Sequence, residues 1–144
     1  MMLRSSLVVL LLTACGGKTV PVVVGDAGLS ACPSSPNCVS SQSDPSDEEH
    51  YIAPLTLGEH PVEIGSMTEW MASRERCNVV DQGQRWVHAT CTTALFRWTD
   101  DIGLFVDPEA GVVHVRSASR VGRSDLGANR KRVEAMRAEW DAGL

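Results

Sequence analysis

The stretch from Gly111 to Trp140, GVVHVRSASRVGRSDLGANRKRVEAMRAEW, constrains the fold more than any other part of the chain. It reads as a strand, a basic turn and an amphipathic helix, so the chain must close with a helix folded back onto a sheet. Val113 and Val115 alternate with His114 and Arg116, the period of a strand with one buried face. Gly122 breaks that run. Ser124 is the expected helix N-cap, and Asp125 falls in the first turn, where a carboxylate favours the helix dipole. From Leu126 onward Val133, Met136 and Trp140 recur at helical spacing on one side. Asn129 lies on the same stripe. A buried amide is costly unless hydrogen-bonded, so it requires a partner on the sheet or on the preceding turn. Gly127 in the first turn costs up to about 1 kcal/mol against alanine, which close approach of another backbone would explain.

Charge singles out the same stretch. From Val112 to Arg137 there are seven basic residues (Arg116, Arg120, Arg123, Arg130, Lys131, Arg132, Arg137) and two acidic ones (Asp125, Glu134), whereas the whole chain carries a net charge of −5. Arg120, Arg123 and Ser124 converge on a helix N-terminus, which offers free N–H groups and the positive end of the dipole. That is the chemistry of an anion site, built from Arg116, Arg120, Ser124, Asn129 and Arg130. The competing reading is that these arginines pair internally with Asp100 and Asp101.

The start of the chain is an address. Arg4 precedes the apolar run Leu7–Leu12 (LVVLLL), which is too short to span a bilayer permanently. It ends in Leu12-Thr13-Ala14-Cys15, a pattern similar to a bacterial lipobox. Residues 1–14 are therefore expected to be a lipoprotein signal peptide, with Cys15 acylated after cleavage. More than one acyl chain makes membrane attachment lasting. Gly16 follows Cys15, and the absence of aspartate there favours the outer over the inner membrane of a bacterial envelope, facing the periplasm. Residues 15–49 are expected to form the lipidated cysteine, a flexible tether and a Cys-Pro loop, with a single domain over 50–144. Cys32 and Cys38 close a Pro-rich loop, CPSSPNC, and in an exported chain the pairings Cys32–Cys38 and Cys77–Cys91 are favoured. Zinc on all four thiolates is the rival, but the spacing lacks paired C-x2-C clips. No metal or cofactor is expected.

Within the domain, Ser66 with Glu69 reads as a capping box opening a helix over about Met67–Arg76, anchored by Trp70. Cys77-Asn-Val-Val and Arg85–Thr92 flank a turn at Asp81–Gln84, where Gly83 is expected to supply a positive φ. Ala94–Trp98 (ALFRW) is β-prone. A second hairpin joins Asp100–Asp107 to Val112–Ser119 around Pro108–Gly111. If Asp107 faces Val112, then Ile102, Leu104, Val106, Val113 and Val115 share the core face. Gly103 then sits opposite Arg116, leaving room for its long side chain, and Asp101 lies diagonal to Arg116, within reach of an ion pair. The expected fold is α+β: an antiparallel meander of four to five strands with an N-terminal helix and a C-terminal amphipathic helix on one face. Trp70, Trp86, Trp98 and Trp140 are expected core anchors.

The segments CPSSPNCVSS (Cys32–Ser41), TDDI (Thr99–Ile102) and VHVRSASRVGRSDLGANRKRVEAMR (Val113–Arg137) resemble an uncharacterised bacterial family catalogued as domain of unknown function 1499. The likeness runs from about Cys32 to Arg137. It falls on Asp100, Asp101, Arg116, Ser117, Ser119, Arg120, Gly122, Ser124, Asp125, Gly127, Asn129 and Arg130. Arg123 stands where the family pattern has an aromatic residue, and Cys77 and Cys91 lie outside that pattern. The resemblance implies an envelope address, in lipoprotein or membrane-attached form, and no established activity.

Three functional readings follow. The first is a non-catalytic envelope domain that sits on a membrane through lipidated Cys15 and binds an anionic small molecule, a lipid headgroup or an acidic protein segment. The second is a structural or partner-binding module whose Arg/Asp/Asn set is internal. Burial separates these two, because the first needs the Arg120 and Arg130 heads open to a pocket and the second needs them enclosed and paired. The third is a hydrolase using His88 or His114 with Ser117 or Ser119 and Asp100 or Asp101. Its geometry is poor: the counted register points His114 away from both serines, and there is no G-x-S-x-G elbow. His50, His60, His88 and His114 match no metal motif. Nucleic acid is excluded by the acidic balance and the lack of a basic–aromatic platform.

Overall fold

The sheet grows from two hairpins laid edge to edge. In the computed structural model, which describes Val22 and residues 27–58 and 62–143, the strands are β1 (Cys38–Ser40), β2 (Leu55–Thr56), β3 (Cys77–Gln82), β4 (Trp86–Thr92), β5 (Thr99–Asp107) and β6 (Val112–Ser119). The helices are α1 (Ile64–Ser73) and α2 (Ala128–Asp141). The leader, Cys15 and His60 lie outside the described residues. β3 to β6 form the expected antiparallel meander, and β1 extends it in the order β1-β6-β5-β4-β3. β2 pairs with the other end of β6, so β1 and β2 share one edge. The fold is α+β, with six strands among the described residues rather than four to five.

The register follows the expected count. Asp107 faces Val112, Leu104 faces Val115 and Gly103 faces Arg116. Ile102, Leu104, Val106, Val113 and Val115 are all buried in one core cluster. Met67 and Met71 from α1 and Val133, Met136 and Trp140 from α2 join it, so both helices cover the same face. Each fully buried Leu, Ile or Met of this cluster stabilises by about 2 kcal/mol.

Several expectations are corrected. α1 begins at Ile64, three residues early, so Ser66 is inside the first turn and no side chain caps the helix. It is also preceded by β1 and β2, whose three and two residues are too short to show periodicity. The body takes in residues 27–49 as well: Val39 is in the core, and the Asn37 amide donates to the Gly122 carbonyl at 2.7 Å. The unit therefore starts before residue 50. Gly83 has no positive φ; it is glycine because the Trp86 indole fills the space of a Cβ. Residues 94–98 form a loop, not a strand, and Trp98 is exposed rather than a core anchor.

The second face of the sheet is not bare. Gly103 leaves room for the N-terminal segment, so a Cβ there would lie 2.6 Å from Val22 Cγ1 and 2.8 Å from Leu29 Cδ2. Arg116 and Ala118 are buried on this face of β6 and Ser117 on the helical one, so three residues in succession are buried where alternate exposure was expected.

Candidate functional site

The pleat separates the two neighbouring aspartates. Cys91 faces Asp100 and Thr90 faces Asp101, so Asp100 points to the helical face and Asp101 to the other. Asp101 accepts two hydrogen bonds from Arg120, Nε to Oδ2 and Nη2 to Oδ1, both 2.8 Å, and His88 Nε2 lies 2.8 Å from Oδ1. Burial by itself would push the Asp101 carboxyl up; the Arg120 and His88 bonds outweigh it and hold it at about 2. The same bond to Asp101 pushes the Arg120 guanidinium up. Asp100 is held instead by Arg132, whose Nη2 donates to Oδ2 at 2.5 Å.

Asn129 links the two halves of the junction. Its side-chain oxygen accepts from Ser117 Oγ at 2.6 Å and Arg132 Nη1 at 2.8 Å. Its Nδ2 donates to Ser119 Oγ at 2.9 Å, to the Asn37 carbonyl at 3.1 Å and to Asp125 Oδ2 at 2.8 Å. The partners demanded by its place on the apolar stripe thus come from the sheet, the preceding turn and the Cys-Pro loop.

The helix start differs from expectation. Asp125, not Ser124, caps α2: its Oδ1 accepts from Gly127 N–H at 2.9 Å and its Oδ2 from Asn129 N–H at 2.8 Å. Burial would raise the Asp125 carboxyl, but these bonds together bring it below its ordinary value. Ser124 is exposed, and its Oγ accepts only from Leu126 N–H at 3.3 Å. Gly127 is required by its φ of 77°; nothing lies near enough to meet a Cβ, so backbone approach is not the reason.

Two further arginines clamp the helix to the incoming chain. Arg130 Nη2 donates to the carbonyls of Glu48 and Glu49 at 3.1 and 3.2 Å. Arg137 donates to the carbonyls of Pro54 and Ala53, both at 2.6 Å. Arg116 behaves differently. It is 4% exposed, and its Nε has no hydrogen-bond partner among the described residues. Burial pushes its guanidinium down, opposed by the nearby Asp101 charge, but the expected diagonal ion pair is not a hydrogen bond. Of the five anion-site candidates, Arg120, Asn129 and Arg130 are hydrogen-bonded within the domain, Arg120 being paired but exposed rather than enclosed, Ser124 is turned to solvent, and Arg116 is enclosed.

The sequence model of a family described as Protein of unknown function (DUF1499) matches residues 28–140. The chain belongs to the DUF1499 family. No curated protein and no solved structure matches it significantly.

In this DUF1499 domain both disulfides of the favoured pairing are present, Cys32–Cys38 and Cys77–Cys91, with Cα atoms 5.7 and 4.1 Å apart. No group of three or more His, Cys, Asp or Glu among the described residues is placed to hold a metal, and no described helix is long and apolar enough to cross a membrane. The serine that touches a histidine is one that sequence reasoning missed. Ser41 Oγ is 3.0 Å from His114 Nδ1, and His114 Nε2 is 3.8 Å from Asp107. Ser41 also accepts the Val115 N–H at 2.9 Å and is buried. Ser117 faces Asn129, so neither expected serine meets a histidine here.

A cleft of about 630 Å³ opens beside the Cys77–Cys91 bridge, lined by Arg74, Arg76 and Arg132. Each of these cations has its own carboxylate: Glu139, Glu75 and Asp100 respectively. The arginines missed as network members, Arg132 and Arg137, carried one legible signal, their position on α2 one and two turns beyond the Asn129 region.

Proposed function

We propose that the chain is a non-catalytic, lipid-anchored domain of the cell envelope, a protein-interaction module whose Arg/Asp/Asn string is an internal fastening. The observation that carries this is occupancy. Arg120 is bound to Asp101, Arg132 to Asp100, Arg130 and Arg137 to backbone carbonyls, and Asn129 to five neighbours. Charge-assisted bonds of this kind are the strong ones, and a ligand would have to replace them. They tie the last helix, the sheet and the Cys-Pro loop into one body, leaving its outer surface for contact with a partner. Acyl chains on Cys15 would hold that body at the membrane, the outer membrane being favoured.

Two measurements test this. Intact mass of the envelope fraction should show acylation of Cys15, and Cys15→Ser should abolish it. Arg120→Gln and Arg130→Gln should lower the thermal midpoint, while inorganic phosphate and glycerol phosphate leave that midpoint of the wild type unchanged. A midpoint raised by either anion in the wild type and not in Arg120→Gln would return the junction to the anion-site reading. Arg116, with its unmet Nε, is the one residue that favours that second reading.

A further inference from the structure

Six large apolar side chains are exposed among the described residues, and five of them stand on two loops at one end of the sheet. The β4–β5 loop carries Leu95 (81% exposed), Phe96 and Trp98; the β6–α2 loop carries Val121 and Leu126 (89% exposed). The loops are neighbours, since Arg120 N–H donates to the Thr99 carbonyl at 3.1 Å. Phe96 and Trp98 stack with ring centroids 4.8 Å apart, making one aromatic surface. Both loops also hold a residue other than glycine in the left-handed region: Arg97 at φ 54° and Leu126 at φ 53°. A leucine is costly there and costly in water, and at position 126 it meets both penalties at once.

Charge gives the patch a direction. Across the two loops stand Arg97, Arg120 and Arg123 with one acid, Asp125, on a chain whose net charge is −5. Asp125 is already engaged by the N–H groups of Gly127 and Asn129. The apolar groups stand on the two loops, Phe96 and Trp98 as a stacked pair and Leu95 and Leu126 almost fully in water. Such a shape matches a surface that deforms around it. Aromatic rings with interleaved arginines suit the boundary between headgroups and acyl chains.

We infer that this end of the sheet docks on a bilayer containing anionic phospholipid. Leu95, Phe96, Trp98 and Leu126 enter the headgroup–acyl boundary, and Arg97 and Arg123 meet the phosphates. This rests on the acyl-anchor reading and adds orientation to it. Cys15 and Val22 are seven residues apart, a reach of at most about 25 Å. Val22 sits on Gly103, and the four residues from there to Thr99 span about 13 Å of strand. An anchor at Cys15 therefore leaves both loops within reach of the same membrane.

The test uses tryptophan fluorescence, because Trp98 is the exposed one of the four. The full chain is reconstituted with vesicles of phosphatidylethanolamine and phosphatidylglycerol whose acyl chains are brominated. Wild type should be quenched, and Trp98→Phe should lose that quenching while keeping its circular dichroism. Leu126→Asn should reduce it. Arg97→Gln with Arg123→Gln should reduce it on vesicles containing phosphatidylglycerol and leave it unaltered on phosphatidylcholine alone. Equal quenching of wild type and Trp98→Phe would overturn the inference. So would concentration-dependent self-association that Phe96→Ser abolishes, since the occupant would then be a second copy. An unacylated Cys15, read by intact mass in the same samples, overturns the anchor alone and leaves the Trp98 difference to be read separately.

Discussion

At the scale of single residues, the junction depends on carboxylates and amides that reach it from opposite sides of a pleated sheet. Asp101 is the most perturbed of them, held at about 2 against an ordinary 3.8. Its folded value is depressed, so its contribution is complete above pH 4 and is lost as pH falls through about 2. A shift of that size corresponds to about 2 kcal/mol. Chemical denaturation at pH 5 and at pH 2 should therefore show wild type losing about 2 kcal/mol more than Asp101→Asn over this interval. Asn129→Ala removes a buried amide and strands Ser117, Ser119 and the Asn37 carbonyl; the denaturation midpoint should fall by an amount equivalent to about 3 kcal/mol. Arg116 opposite Gly103 was legible in the sequence, because a strand register is an integer count. The partner of Asp100 was not: Arg132 lies 32 residues away and reaches it only because α2 crosses the sheet there.

At the scale of elements, sequence patterns located both helices and the meander but misjudged their ends. A helix start is set by which side chain reaches the free N–H groups. Asp125 rather than Ser124 does so here, because Leu126 and Gly127 both take left-handed backbone before the helix begins. β1 and β2 left no trace in the sequence, since strands of three and two residues are chosen by the open edge of β6 and not by their own pattern. The loop at 94–98 misled for the opposite reason: Phe and Trp favour strands, yet here they stand in water. Leu126 offers a measurable consequence. Replacing it by glycine relieves about 1 to 2 kcal/mol of left-handed strain, against about 0.4 to 1 kcal/mol of added unfolded-state entropy. Leu126→Gly should thus stabilise the domain by about 0.5 to 1 kcal/mol, read as a raised midpoint in urea, whatever it does to membrane contact.

At the scale of the whole molecule, the sheet is covered on both faces by unlike layers. One face carries two helices and an apolar core. The other carries Arg116, Asp101 and His88 beneath a thin cover that includes Val22 and Leu29. The alternation of β6 suggested a single buried face, since a charged residue in a strand normally marks the solvent side; the cover could be inferred only from Gly103, whose missing side chain admits it. That makes Gly103 the control point for the second layer. A valine there would collide with Val22 and Leu29, whose side chains already stand within 3 Å of where its Cβ would be. The β5 backbone itself accommodates valine well, and the core face is untouched, so Gly103→Val should keep its circular dichroism and cooperative unfolding. What should change is protection of the N-terminal segment. Elastase, cutting after Ala27 or Ala31, should cleave the variant at least several-fold faster than wild type, with the remainder of the chain intact. Unchanged cleavage would mean that the segment does not depend on the gap at Gly103. Faster cleavage together with a pH-dependent midpoint like that of Asp101→Asn would mean that the cover also shields the buried Asp101 carboxylate from water.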